Sequence, residues 1–153
     1  MFVEFTAVTG LRLSEAINSW NLIDADDYYD QKLQALEHFK FKNVFLRRTK
    51  KVFISFVPED LIERIREMHG RVKLTETIVK KRIQRRGLRM RFGDLREYWA
   101  TFMTKWLNPA EIDFLQGRVS ASVFMRHYFN PALISDLKER TLKGIDRLRR
   151  TLF

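Results

Sequence analysis

Residues 95–107 narrow the possible folds more than any other stretch. Leu95, Tyr98, Trp99, Ala100, Phe102, Met103, Trp106 and Leu107 make this segment apolar nearly all round a helix, and a helix of that kind has to be buried among other elements. Asp94, just ahead of it, is a favourable N-cap. Arg96 falls on the same stripe as Ala100, Met103 and Leu107. A guanidinium on a buried stripe must emerge at a site or meet a carboxylate, because an unpaired charge in a core is very costly. The chain therefore needs a helical body with a cation inside it.

The 153 residues suffice for one domain with a sizeable core, and 45% hydrophobic residues with only three prolines and six glycines fit a chain that is globular throughout. No apolar run reaches the roughly 18 residues of a membrane span, and the N-terminus lacks the basic start of a signal peptide. Cysteine is absent, which removes disulfides, thiolate metal sites and cysteine nucleophiles and is compatible with a reducing, intracellular setting. Charge is the positive clue. The balance of 29 Lys+Arg against 19 Asp+Glu gives a net +10, and the pI near 10.1 points to a polyanionic partner, nucleic acid first.

That charge is uneven. Residues 1–37 carry two basic and seven acidic side chains, whereas residues 71–91 carry nine basic and one acidic. Basic runs are commonly solvated helix faces, but this one is too lopsided to neutralise itself through i,i+4 pairs and suits a surface opposite phosphates. Lys80, Lys81, Arg85 and Arg86 are its central members.

Along the chain, an apolar segment at residues 1–7 meets Thr9-Gly10, a turn before the helical pattern of Leu11, Ala16, Ile17 and Trp20. Arg12 rides on the first turn of that helix, with Glu15 at i,i+3 as an internal partner. An acidic connection and a helix to about Phe39 come next. Residues 44–46 and 52–57 then read as the arms of a β-hairpin with Arg47, Arg48, Lys50 and Lys51 at a basic tip. Pro58 stops the second arm, and the helical spacing of Leu61, Ile62 and Ile65 ends at Gly70. Thr75 can cap a helix through the basic block to Gly87. Asn108-Pro109 opens a short helix closed by Gly117, and Ser120 or Ser122 caps the next, which Asn130-Pro131 ends. Residues 132–153 form a last amphipathic helix. The fold class is thus α+β, mainly α-helical with a small antiparallel β-hairpin or sheet.

Tyr128 closes the helix after Ser122 and is the candidate nucleophile. Taken alone it is an ordinary half-buried helix-end tyrosine. A phenol with a pKa of about 10 attacks at neutral pH only where cations stabilise the charge that develops, and Arg118, Arg126 and His127 are its sequence neighbours.

A buried-helix arginine, a hairpin lysine, a second buried-helix arginine, another arginine and a tyrosine, in that order, resemble the constellation of tyrosine recombinases. The run from Thr9 through Gly10, Leu11, Arg12, Leu13, Ser14 and Glu15 to Ala16 is similar to the family's first arginine box. Gly93-Asp94-Leu95-Arg96 resembles its His-x-x-Arg box. Leu115-Gln116-Gly117-Arg118, followed by His127-Tyr128, is similar to the box that ends in the nucleophile. Gly93 and Arg118 replace residues that are usually histidine, or histidine or tryptophan, in the family. The substitutions look most like those of integrases from archaeal viruses and plasmids.

The resemblance implies cleavage and rejoining of double-stranded DNA at an attachment site through a 3′-phosphotyrosine, with no cofactor and no metal. Arg12 and Arg96 would clamp the scissile phosphate and Arg118 would add a third contact. Lys50, with Lys51 behind it, would protonate the departing 5′-oxygen. Arg47, Arg48, Lys51, Lys80, Lys81, Arg85, Arg86 and His127 would bind DNA. The family works as a homo-oligomer, a tetramer on paired sites, inside the host cell and on its DNA. The chain begins about where the family's N-terminal core-binding domain ends, so residues 1–153 are expected to be the catalytic domain alone or the C-terminal part of a divided gene. The tail from residue 132 would pack partly on another protomer when DNA is bound. A type IB topoisomerase-like relaxing enzyme and a non-catalytic basic DNA-binding module are the alternatives. The box around Arg12 and the tail after Tyr128 argue against the topoisomerase.

If the basic block carries binding, replacing Lys80, Lys81, Arg85 and Arg86 with alanine flattens the salt dependence of duplex DNA affinity. Each lost phosphate contact removes about 0.9 from the log–log slope. Titrations at several salt concentrations check this, and an unchanged slope rules the block out.

Overall fold

The computed structural model describes residues 1–69 and 72–153. Gly70, the expected end of a helix, and Arg71, the first residue of the basic block, lie outside the described residues. The opening apolar segment is itself helical: α1 (Phe2–Thr9) ends at Gly10, whose φ of 62° and N–H bond to the Thr6 carbonyl at 3.1 Å turn the chain sharply into α2 (Leu13–Asn21). Ala16, Ile17 and Trp20 face inward from α2, as their spacing predicts.

A three-stranded antiparallel sheet follows, built from β1 (Tyr29–Asp30), β2 (Ala35–Leu36) and β3 (Ser55–Phe56) in that order, with Tyr29 opposite Leu36 and Ala35 opposite Phe56. The helix expected up to about Phe39 is not there. Asp30 accepts a hydrogen bond from the Leu33 amide at 2.7 Å and Gln34 adopts φ 51°, so residues 31–34 turn tightly. The turn delivers Ala35 and Leu36, both fully buried, to the middle of the sheet.

The hairpin also differs from its expected form. Its first arm is largely a short helix, α3 (Lys42–Phe45), preceded by the 3-10 turn His38–Lys40. Contact between the arms is a single bridge from Leu46 to Lys51, with the Arg47 amide bonded to the Lys50 carbonyl at 3.2 Å. Phe45 and the consecutive Val52, Phe53 and Ile54 are all buried. Side chains buried on successive positions hold this segment by packing on every side, so it needs no ladder with its neighbour. β3 pairs with β2 instead.

A buried polar chain fixes that connection. Tyr28 donates to Ser19 at 2.9 Å, His38 Nδ1 lies 2.8 Å from the Tyr28 hydroxyl, and His38 Nε2 lies 2.9 Å from Ser55 Oγ. Burial pushes the His38 pKa down to about 3, so the ring is neutral and shares hydrogen bonds on both nitrogens.

The remaining helices are α4 (Glu59–His69), α5 (Glu76–Arg85), α6 (Phe92–Met103), α7 (Pro109–Leu115), α8 (Ala121–Tyr128) and α9 (Pro131–Leu152). Thr75, Asn108, Ser120 and Asn130 cap α5, α7, α8 and α9 through their side chains. Asp94 is not a cap: α6 starts two residues before it, and its carboxylate sits in the first turn beside Arg91, where negative charge still favours the helix end. Nor is α6 buried all round. Arg96, Trp99 and Met103 form its inward stripe, while Tyr98 is 39% exposed and stacks in a row with Phe102 and Trp106 at ring distances of 5.8 and 5.4 Å. Finally, α9 folds back on its own chain, packing on α1, α6, α8 and β3 with Ile134, Leu137, Ile145 and Leu148 buried.

Gly117, at φ 71°, is pressed so closely to the Lys51 backbone that an added Cβ would lie 1.9 Å from the Lys51 carbonyl oxygen. Gly87 has a similar φ of 66° but open space around it. Thermal unfolding should therefore separate the two alanine variants. Gly87→Ala should cost about 1–2 kcal/mol of left-handed strain. Gly117→Ala should lose clearly more, because the 115–118 loop has to lift off the hairpin.

Candidate active site

Arg96 is the point at which three distant segments meet. It is 8% exposed and donates from Nη1 to the Gly10 carbonyl at 2.7 Å and from Nη2 to the Gln116 carbonyl at 2.9 Å. Gln116 Nε2 reaches back to the Arg96 carbonyl at 3.3 Å. One turn along α6, Trp99 Nε1 donates to the Val8 carbonyl at 2.9 Å, and its ring fills the space that a Cβ on Gly10 would need. The carbonyls at the end of α1 have no partner within their own helix, and α6 supplies one. The sequence leaves Arg96 to find a carboxylate or a site; its direct partners are backbone carbonyls.

This junction sets Arg12, two residues after Gly10, and Arg118, two after Gln116, around the buried guanidinium. Arg12 precedes α2, where the Glu15 carboxylate accepts from its amide at 3.0 Å and from its Nη1 at 2.6 Å. The Glu15 side chain is 2% exposed but that of Arg12 is 29% exposed, so the pair orients the arginine and leaves part of it facing solvent. Arg118 is exposed and meets Asp113 at 3.4 Å. Burial first, with the charges of Arg12 and Arg118, draws the Arg96 pKa down to about 10 against the opposing charge of Glu15. Arg96 therefore stays charged at neutral pH. With Glu15 and Asp113 as the carboxylates paired to Arg12 and Arg118, the cluster keeps an excess positive charge suited to a phosphate.

The hairpin leans on the same cluster. Gly117 holds the Lys51 backbone, and Arg47 Nη2 lies 3.4 Å from Ser14 Oγ on the first turn of α2. Arg48 and Lys50 are exposed on the outer turn, with no side-chain bond among the described residues. The basic block occupies α5, moored to the far end of α2 by paired hydrogen bonds between Asn21 and the Leu74 backbone at 2.9 Å. Lys80 makes one i,i+4 pair with Glu76 at 2.6 Å. Lys81, Arg85 and Arg86 are exposed and carry no ion pair among the described residues.

Tyr128 stands in a different setting from the arginines. Its ring packs against Phe39 at 4.9 Å, Phe124 at 5.4 Å and Phe129 at 5.3 Å, and its hydroxyl donates to Glu37 Oε1. Burial, then the Glu37 hydrogen bond and the charges of Glu37 and Asp30, hold its pKa above the ordinary phenol value. Arg118, Arg126 and His127 make no hydrogen bond, ring or cation–π contact with the phenol among the described residues. His127 is exposed, with Nδ1 at 3.0 Å from the Val123 carbonyl and its ring 5.5 Å from Phe114. Glu37 is buried, and its second oxygen pairs with Lys40. The arginine cluster and this second cluster are joined by the run from Lys51 to Phe53, since Gly117 packs on Lys51 and Val52 while Phe53 stacks on Phe124 at 4.7 Å.

Glu37, Lys40 and Gln116 are absent from the residues that the sequence singles out. Glu37 reads there as one acid among seven in the N-terminal quarter, and nothing local ties it to a tyrosine 91 residues away. Gln116 acts through its backbone carbonyl, which no residue pattern advertises.

A family model described as archaeal phage integrase matches residues 1–141 of the chain. No curated protein and no solved structure matches it significantly.

Arg96→Met should unpair two buried carbonyls at once and lower stability by about 2–4 kcal/mol. Denaturant unfolding measures this, and a variant as stable as the parent would show that the junction is held by packing alone.

Proposed function

Because the chain belongs to the archaeal phage integrases, we propose that it is the catalytic unit of a site-specific DNA recombinase of the tyrosine class, with that class's catalytic-domain fold. The observation that carries the proposal is the Arg96 junction, which gathers Arg12 and Arg118 from three separated sequence boxes around one excess of positive charge. A passive DNA binder gains nothing from burying one of its arginines.

In this reading Arg12 and Arg96 hold the non-bridging oxygens of the scissile phosphate, and Arg118 makes a third contact. They stabilise charge that builds in the pentacoordinate transition state, where each preorganised donor is worth about 10²–10³ in rate. Arg96, fixed by two carbonyls, is the rigid member. Arg12, partly open to solvent and oriented by Glu15, adapts to the bound strand. Tyr128 Oη attacks phosphorus, the bond to the 5′-oxygen breaks, and a 3′-phosphotyrosine forms. The departing oxygen takes a proton from a lysine of the long connection between β2 and β3, the segment that carries Lys50. Bound DNA brings the clamped phosphate and the phenol together. The exposed cations of α5 and the hairpin tip hold the duplex by its backbone, and two pairs of protomers work on paired sites.

A nicked duplex carrying the cognate site, cut so that the short 5′-hydroxyl fragment diffuses away, traps the intermediate. A denaturant-resistant protein–DNA adduct forms on saturated DNA, and Tyr128→Phe abolishes it while leaving affinity unchanged. Arg12→Ala slows it by about 10²–10³. An adduct that persists in Tyr128→Phe identifies another nucleophile and overturns the assignment.

A further inference from the structure

The proposed cleavage needs a group to take the phenol proton and another to protonate the leaving oxygen, and Gly93 stands where a histidine, and Arg118 where a histidine or tryptophan, would be expected. Glu37 and Lys40 are placed for both tasks. Glu37, 2% exposed, holds the Tyr128 hydroxyl on one carboxylate oxygen and the Lys40 ammonium on the other. Its backbone N–H donates a hydrogen bond to the Tyr28 carbonyl at 2.8 Å, and the next residue, His38, is locked into the buried chain between Tyr28 and Ser55. Lys40 keeps 40% of its side chain open to solvent and also donates to the Asp27 carbonyl at 3.2 Å. A ligand can therefore reach its amine. Lys50, by contrast, is exposed on the outer turn of the hairpin, with no side-chain bond among the described residues.

Resting on the proposed recombinase reading, we propose that Glu37 and Lys40 are the acid–base pair of strand cleavage, Glu37 accepting the Tyr128 proton and Lys40, rather than Lys50, protonating the 5′-oxygen. A general base must lie within hydrogen-bond reach of the proton it removes, and the described bond of the phenol is to Glu37. A carboxylate does not ionise a free phenol, but the phenol becomes strongly acidic as its oxygen bonds to phosphorus, so the proton passes during that step. Entering and leaving oxygens lie in line on opposite sides of one phosphorus, so the donor has to reach round the phosphate from near the tyrosine, as the long and partly exposed Lys40 side chain is placed to do. Lys40 is the cation that shares a carboxylate with Tyr128. The two transfers reinforce each other: once Glu37 is protonated, the charge that favours the Lys40 ammonium is gone, and the lysine releases its proton more readily. In balance, Oη–P forms and P–O5′ breaks, the Oη proton goes to Glu37, and a Lys40 proton goes to O5′. Religation runs the same transfers backwards.

The test compares the nicked duplex with one in which sulfur replaces the bridging 5′-oxygen, since a thiolate departs without a proton. Lys40→Arg is the main variant: it keeps the charge beside Glu37, but a guanidinium does not give up its proton. On saturated DNA, Lys40→Arg and Lys40→Ala form adduct about 10²–10⁴-fold more slowly than the parent with the oxygen leaving group and near the parent rate with sulfur. Lys50→Ala shows no such difference. Glu37→Gln is slow with both leaving groups while DNA affinity is unchanged. Parent-like cleavage of the oxygen substrate by Lys40→Arg, equal slowing on both substrates, or sulfur rescue of Lys50→Ala overturns the lysine assignment. Cleavage by Glu37→Gln at or above the parent rate shows that Glu37 restrains the phenol and overturns its role as acceptor. Failure of the recombinase reading looks different, because the parent then forms no adduct with either substrate.

Discussion

Two hydrogen bonds from one guanidinium, Arg96 to the Gly10 and Gln116 carbonyls, hold together everything the chain does. They join the end of α1, the first half of α6 and the loop after α7, which are separated by 86 and 20 residues. Burying a cation is unfavourable unless well-placed partners offset its lost hydration, and here those partners come from the other two segments, so the junction forms when all three are in place. The surrounding packing enforces that arrangement: Trp99 fills the space above Gly10, and Gly117 lies against the Lys51 backbone. A charge that would be a defect in an ordinary core is here the fixed centre of the proposed phosphate clamp.

The distribution of charge follows from the same geometry. Around Arg96 the arginines outnumber the carboxylates, and the exposed cations of α5 and the hairpin tip extend the positive surface outward. Around Tyr128 burial comes first, then the Glu37 hydrogen bond and the charges of Glu37 and Asp30, in holding the phenol pKa above its ordinary value. In the proposed reaction a phenol held protonated in the free protein does not attack indiscriminately, because only a phosphate clamped by the arginines would make its oxygen acidic enough to react.

Much of this was legible from sequence where one residue type carries the information. Thr75 and Asn108 announce helix starts and cap there, and of Ser120 and Ser122 it is Ser120 that caps α8; Asn130, read only as the end of that helix, also caps α9. Arg96 betrays itself by sitting on an apolar stripe, and Gly117 by ending a helical pattern. Misreadings arose where tertiary contacts override local pattern. Residues 44–46 have a strand's composition, yet Phe45 is drawn into a short helix by its contacts with Tyr28 and His38. The segment before Phe39 carries no strong turn signal, and the left-handed Gln34 makes it a hairpin turn. Glu37 was out of reach altogether, because its significance lies in which two side chains its oxygens touch.

A structure of the protein bound to a nicked duplex would test the central claim most directly. The account predicts one backbone phosphate with its non-bridging oxygens on the Arg12 and Arg96 guanidiniums and Tyr128 Oη facing its phosphorus, in line with the 5′-oxygen. Phosphates found only along α5 and the hairpin tip, with the Arg96 junction unoccupied and Tyr128 turned away on Glu37, would contradict it and leave a DNA-binding protein without this chemistry.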